Sequence, residues 1–394
     1  MMRVAERWSE QDKEAKLPLR DWAILPLLSL VTVLLCLLAV NMAAHHLYET
    51  RGGNACMVED AVLGVRYCPN CTARLKTSEG PWVEQHYNAC GYRSQQECGA
   101  KPAGATRIAL LGSYLAEGEF VAYERAFAGQ TEVALTQILS RPVEVQNLSV
   151  RGCMPICSFH RIDEALALKP DVLVMAIDPF DVEHVEEREG LQGDRAGSDQ
   201  PGETSQGNEQ NPVKRLKLRV EQSAVGVMAE HYLLQDSNLY ARIFLHYGDR
   251  ADYLRTPLSP AWKRRMRNLD HLLAEMKSKA DKAGVPFVLV EVPSLAQAAV
   301  VKMPEPPAGV DPYLFNRALK QVAGRNGMGY ADPLEHFYRA DKVANLYYVV
   351  DTHLNAQGHT LVSQALVNEL REQYGRQLQG QIRDAAHSGV SSGQ

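Results

Sequence analysis

An excess of basic charge is missing from this chain, and with it the electrostatic footprint that a nucleic-acid partner requires. Lys and Arg total 42 against 47 Asp and Glu, for a formal net charge of −5. The sequence pI is about 6.2. A second uncharged apolar stretch of bilayer length is also missing, and the mean hydropathy of −0.26 excludes a polytopic membrane protein. So is a second CxxC. Cys68-Pro-Asn-Cys71 stands alone, since Cys90 and Cys98 are eight apart, and the paired spacing of a zinc ribbon is not met.

One apolar stretch is present. Residues 22–44 contain no charged side chain, and roughly 20 apolar residues in a helix suffice to cross a bilayer. Arg3, Arg7, Lys13, Lys16 and Arg20 precede it, whereas Arg51 is the first basic residue after it. This asymmetry predicts an uncleaved anchor in the cytoplasmic (inner) membrane, with the N-terminus inside and the bulk of the chain on the periplasmic, extracytoplasmic side. A cleaved signal peptide is the competing reading, with Ala39, Ala43 and Ala44 as its small residues; the apolar core is long for one.

Cysteine usage agrees with an oxidising compartment. Cys36 lies in the apolar stretch. The other seven are Cys56, Cys68, Cys71, Cys90, Cys98, Cys153 and Cys157. Disulfides are expected among them, and an odd count leaves at least one thiol over. The pairing is not readable from spacing.

The chain divides into a cytoplasmic tail (1–21), the membrane helix (22–44), a Cys-rich lead-in (45–104), an α/β body (105–380) and a flexible tail (381–394). Apolar runs at 107–112, 143–150, 171–178 and 287–293 read as buried strands. Helical patterns at 122–139, 159–168, 260–283, 311–325 and 356–374 alternate with them, and a short strand falls near Tyr330. This order predicts a three-layer α/β/α body around a parallel sheet, of the flavodoxin-like kind. Residues 186–212 are poor in large apolar side chains and read as a disordered insertion. Residues 213–247 read as helical and form a candidate cap beside the site.

Chemistry-bearing residues gather in two places. The first strand runs into Gly112-Ser113-Tyr114-Leu115-Ala116-Glu117-Gly118. A Gly-Ser turn there either lifts a hydroxyl to the start of a helix, where backbone amides stabilise an anion, or simply caps the helix. Near the C-terminus stands Asp351-Thr-His353-Leu-Asn355-Ala-Gln-Gly-His359. An Asp two before a His orients an imidazole base, and Asn355 fits a helix N-cap. The same Asp and His also suit a plain capping loop. His359 falls in the first helical turn and is the weaker candidate.

The Gly-Ser turn, the Gly closing Asn147-Leu-Ser-Val-Arg-Gly152 and the DTHLNAQGH segment together resemble the SGNH (GDSL-type) hydrolases. The nearest flavour is their membrane-linked branch around polysaccharide O-acetyltransferases, and about residues 105–375 are covered. The resemblance implies Ser113 as nucleophile, His353 as base and Asp351 as its partner. It implies an oxyanion hole from the Ser113 and Gly152 amides, with Gly112 and Tyr114 as neighbouring oxyanion or substrate contacts. No metal or organic cofactor is implied. The implied substrate is an acylated glycan or a similar ester, and a membrane acyltransferase is the implied partner. Two positions depart from the family pattern. Counting back four from Gly118 reaches Tyr114, which leaves Ser113 where the family has Asp, and Phe180 stands where the family has an oxyanion-hole Asn. Two functions remain open: a serine esterase or acyltransferase, or a catalytically degenerate module that binds glycan or scaffolds a cell-envelope complex.

Overall fold

The computed structural model describes residues 19–48, 52–54, 56–185 and 223–390. The expected insertion at 186–212 lies outside them, as does most of the N-terminal tail. Helix α1 (Leu19–Leu47) contains the apolar stretch. Among the described residues it is the one helix long and apolar enough to cross a membrane, over Ile24–Leu47.

The lead-in holds five short strands: β1 (Gly52–Asn54), β2 (Met57–Asp60), β3 (Gly64–Tyr67), β4 (Thr72–Lys76) and β5 (Val83–His86). They form a β1-β4-β5 sheet and a β2-β3 hairpin. Such small sheets cannot bury a sufficient core alone. Disulfides Cys56–Cys71 and Cys90–Cys98 staple them. Tyr67, Ala73, Leu75 and Tyr87 pack against Phe120, Val150 and the Cys153–Cys157 disulfide of the body. Cys71 of the CxxC is thus bonded to Cys56, and Cys68 is the thiol left over.

The body follows in the order β6 (Thr106–Leu111), α2 (Tyr114–Glu117), α3 (Phe127–Leu139), β7 (Val143–Asn147), α4 (Pro155–His160), α5 (Ile162–Ala167), β8 (Val172–Ile177) and α6 (Pro179–Glu183). Then come α7 (Ala224–Leu234), α8 (Ser237–Phe244), α9 (Pro260–Lys282), β9 (Phe287–Glu291), α10 (Leu295–Val301), α11 (Leu314–Arg325), β10 (Gly329–Ala331), α12 (Leu334–Arg339) and α13 (Ala356–Val390). The sheet is parallel throughout, with strand order β10-β9-β8-β6-β7.

Side chains alternate across a strand, so each central strand feeds two layers. Ala109, Leu111, Leu173, Met175, Ile177, Phe287 and Leu289 face one core, which is closed by α4, α5, α9 and α11. Ile108, Leu110, Val172, Val174, Ala176, Val288 and Val290 face the other, closed by α3 and α13. Helix α9 illustrates the fit. Ser259 caps it through the Trp262 amide and Pro260 opens it. Trp262, Met266, Leu269, Leu273, Met276 and Ala280 then bury one stripe. Helix α13 runs Ala356–Val390.

Strand order reverses about β6, between β7 on one side and β8 on the other. In an open α/β sheet, the crevice at such a reversal lies beyond the carboxyl ends of the strands. That rim is where the sequence placed its candidate residues.

Candidate active site

Gly112 ends β6 with φ +155, and a Cβ there would meet the Ala116 Cβ at 2.5 Å. Only glycine lets the chain turn so sharply into α2. Ser113 is the N-cap of α2, but its side chain makes no capping bond, so the plain capping role fails. Its hydroxyl is buried and helps to favour the charged form of the Asp181 carboxyl in α6, the helix after β8. Tyr114 reaches the same place, donating its hydroxyl to Asp178 Oδ2 at 3.0 Å.

Asp178 and Asp181 form a capping box at α6: the Asp181 amide donates to Asp178 Oδ1 at 2.7 Å and the Asp178 amide to Asp181 Oδ2 at 3.1 Å. Burial raises the pKa of both carboxyls, and the neighbouring Asp178 charge pushes Asp181 further up. Burial, with those two carboxyls beside it, also pushes the Tyr114 phenol well above its ordinary value. Tyr114 is therefore held as a neutral donor and not as an attacking oxygen.

The His353 loop arrives from the other side of the rim. Asn355 Oδ1 accepts from the Gln357 and Gly358 amides and caps α13, as expected. His353 is buried, and its ring meets Tyr114 edge-on at 4.9 Å and Phe120 at 4.7 Å between centroids. Its Nδ1–H donates to the backbone carbonyl of Asp351 at 2.9 Å. The Asp351 carboxyl does not hold the imidazole; Ser78 Oγ approaches its Oδ2 at 3.5 Å instead. An Asp only two residues away points its main chain, rather than its side chain, at the ring. Nε2 has no hydrogen-bond partner and lies 3.5 Å from Glu119 Oε2.

The expected Ser113–His353 bond is therefore not formed. The structure brings Tyr114 to the imidazole and turns Ser113 toward Asp181. His359 is buried beside Phe127, whose amide donates to its Nδ1 at 3.3 Å. Burial, aided by the Arg93 charge, lowers its pKa to about 3, so it is a neutral structural residue. Gly152 has φ +79, with open space where a Cβ would be, and the Cys153–Cys157 disulfide closes the turn after it. The β7 loop lies along the first turn, the Val150 amide donating to the Gly112 carbonyl at 3.3 Å. Phe180 packs edge-on to Tyr114 at 5.8 Å and offers no donor.

Several residues were not singled out from sequence. Glu119 is buried and paired with Arg151 at 2.6 Å. Arg93, from the lead-in, donates to the carbonyls of Glu117, Gly118 and Val121. Glu79 Oε2 accepts the Val350 and Asp351 amides at 2.7 and 3.2 Å, while its Oε1 meets His231 Nδ1 of α7 at 2.6 Å. The lead-in and α7 thus fasten the His353 loop from outside. The one readable hint was Asp178-x-x-Asp181, a helix-start spacing. The others depend on which distant segment folds over the rim.

No family model and no curated protein sequence matches the chain. Solved structures do. An acetyl xylan esterase from Geobacillus stearothermophilus is 13% identical, with TM-score 0.37, over 67% of this chain and 94% of that one. A lipase/acylhydrolase from Enterococcus faecalis is 12% identical, with TM-score 0.38, over 68% and 96%. A lipolytic protein of the G-D-S-L family from Veillonella parvula is 12% identical, with TM-score 0.34, over 67% and 97%.

Proposed function

We propose that this chain is a membrane-tethered SGNH-like module that has given up serine-based turnover and works by binding or scaffolding at the extracytoplasmic face. One observation carries this reading: Tyr114 fills the place beside His353, with its hydroxyl committed to Asp178. A base can activate a nucleophile only within hydrogen-bond reach, and among the described residues Nε2 of His353 faces the Glu119 carboxylate at 3.5 Å and no hydroxyl. The basic residues ahead of α1 and the three disulfides support the placement outside the cytoplasmic membrane. An acylated glycan or a similar ester is the ligand class that the SGNH resemblance suggests, and a membrane acyltransferase is the partner.

The second reading is an ester hydrolase, and the buried His353 at the rim favours it, its Nε2 facing the Glu119 carboxylate at 3.5 Å in the way a base faces an acidic partner. Labelling separates the two. The full chain in detergent is expected not to react with a fluorophosphonate probe and not to cleave p-nitrophenyl acetate. Labelling at Ser113 that disappears in His353→Ala overturns the binding reading. Tyr114→Ser is the companion variant. It places a hydroxyl four residues before Gly118 and removes the phenol from the imidazole. It is expected to gain fluorophosphonate labelling at position 114 that also depends on His353. Failure to gain it would mean that the rim differs from a hydrolase site by more than this residue.

A further inference from the structure

Helix α7 reads AVGVMAEHYLL, apolar on nearly every side. A helix of that kind belongs in a core or in lipid. Yet only Ala224 and Val227 are buried, while Tyr232 is 67% and Leu233 53% exposed. Its one histidine turns inward, His231 meeting Glu79 at 2.6 Å. What packs on α7 from outside the body is α1. Along the bilayer-length part of α1 the side chains are exposed, but Ala44 and Tyr48 at its end are buried, and the Tyr48 ring lies 5.2 Å from that of His231. Ala44 precedes the last residue of α1, Leu47, by three positions, or about 4.5 Å of helix. An interfacial helix sits about 5–10 Å into the headgroup and acyl boundary.

We infer that α7 lies in the headgroup layer of the bilayer that α1 spans, with Tyr232 and Leu233 in lipid. This rests on reading α1 as a membrane anchor. The occupant is lipid because the uncovered face of α7 continues the uncovered surface of α1 at the level where that helix leaves the membrane. A tyrosine beside a leucine suits this layer, its ring in the acyl boundary and its hydroxyl turned to that of Tyr48 where α1 ends. The body then stands on the membrane through its cap, and the Glu79–His231 contact ties the His353 loop to the membrane-facing helix.

The test uses the full chain in phosphatidylcholine nanodiscs, with Cys36→Ser and Cys68→Ser removing the two free thiols. Nitroxide labels follow Leu34→Cys, Tyr232→Cys, Leu233→Cys and Val133→Cys, the last 53% exposed on α3. Collision with oxygen reports lipid, and collision with a nickel chelate reports water. The expected result is a deep lipid signal at 34, a shallow lipid signal at 232 and 233, and water at 133. A water signal at 232 and 233 with lipid at 34 overturns the inference and leaves the anchor intact. Shielding from both reagents at 232 and 233 overturns it in favour of a protein cover, such as a second copy of the chain. A water signal at 34 removes the anchor and this inference together.

Discussion

Arg93→Met is expected to lower stability by about 3–5 kcal/mol, because it strips donors from three buried carbonyls. Arg93 is 1% exposed. It comes from the Cys-rich lead-in, yet its guanidinium serves the carbonyls of Glu117, Gly118 and Val121, the turn that leads out of α2. That turn is pinned further by Gln85, which donates to the Glu119 carbonyl, and by the Arg151–Glu119 pair. Phe120, which covers the His353 ring, is carried by the same segment. Methionine fills much of the volume, so the loss isolates the polar contacts rather than a cavity. Arg93→Lys is expected to recover only part of it, since an ammonium is a point charge and does not reproduce the fork of the guanidinium. Denaturant unfolding of the three proteins in detergent measures the difference. A loss under 1 kcal/mol for Arg93→Met would mean that the carbonyls find other donors and that the lead-in is not what holds this turn.

The same residue shows where sequence reasoning stopped. The parallel sheet was legible because β6, β8 and β9 are short unbroken apolar runs, and α9 because its apolar residues recur at helical spacing. The long apolar helix α1 announced itself by length and flanking charge. The turn after β6 and the His353 loop were found because a Gly-Ser turn, an Asn helix cap and an Asp-x-His spacing are local signals. Local signals do not say which atoms meet. Asp351 stood at the spacing of a catalytic partner, but in this loop it is the Asp351 carbonyl that faces the imidazole. Ser113 stood beside the right glycine, but the residue that meets His353 is Tyr114. Glu79, Arg93 and Tyr87 lie in a lead-in with little periodicity of its own, and their roles exist only once it is folded over the rim.

Glu117→Gln is expected to stabilise the protein at pH 8, by on the order of 2–3 kcal/mol, and to have little effect near pH 4. Glu117 is 0% exposed. Burial, reinforced by the charge of Glu119 and opposed by Arg93, Tyr67 and Tyr87, raises its pKa to about 7 from an ordinary value of 4.5. The Tyr87 hydroxyl lies 2.8 Å from Glu117 Oε1 and 2.9 Å from Gln85 Oε1. A hydroxyl has one hydrogen, so Tyr87 donates to one of these two oxygens at a time, and its donation to Glu117 only partly offsets the cost of burial. In the unfolded chain the Glu117 proton leaves near pH 4.5; in the folded chain it stays until about pH 7. Between these values the folded state binds more protons than the unfolded state, so stability falls as pH rises through the window and levels off above it. A glutamine carbonyl oxygen accepts from Tyr87 as the carboxyl did and the side chain never ionises, so the variant lacks this part of the slope. Glu291, also buried and raised to about 7, contributes a similar slope to both proteins and cancels in the comparison. Unfolding midpoints of parent and variant from pH 4 to pH 8 should therefore coincide at the acidic end and diverge across the window. Parallel curves would show that Glu117 ionises normally in the fold.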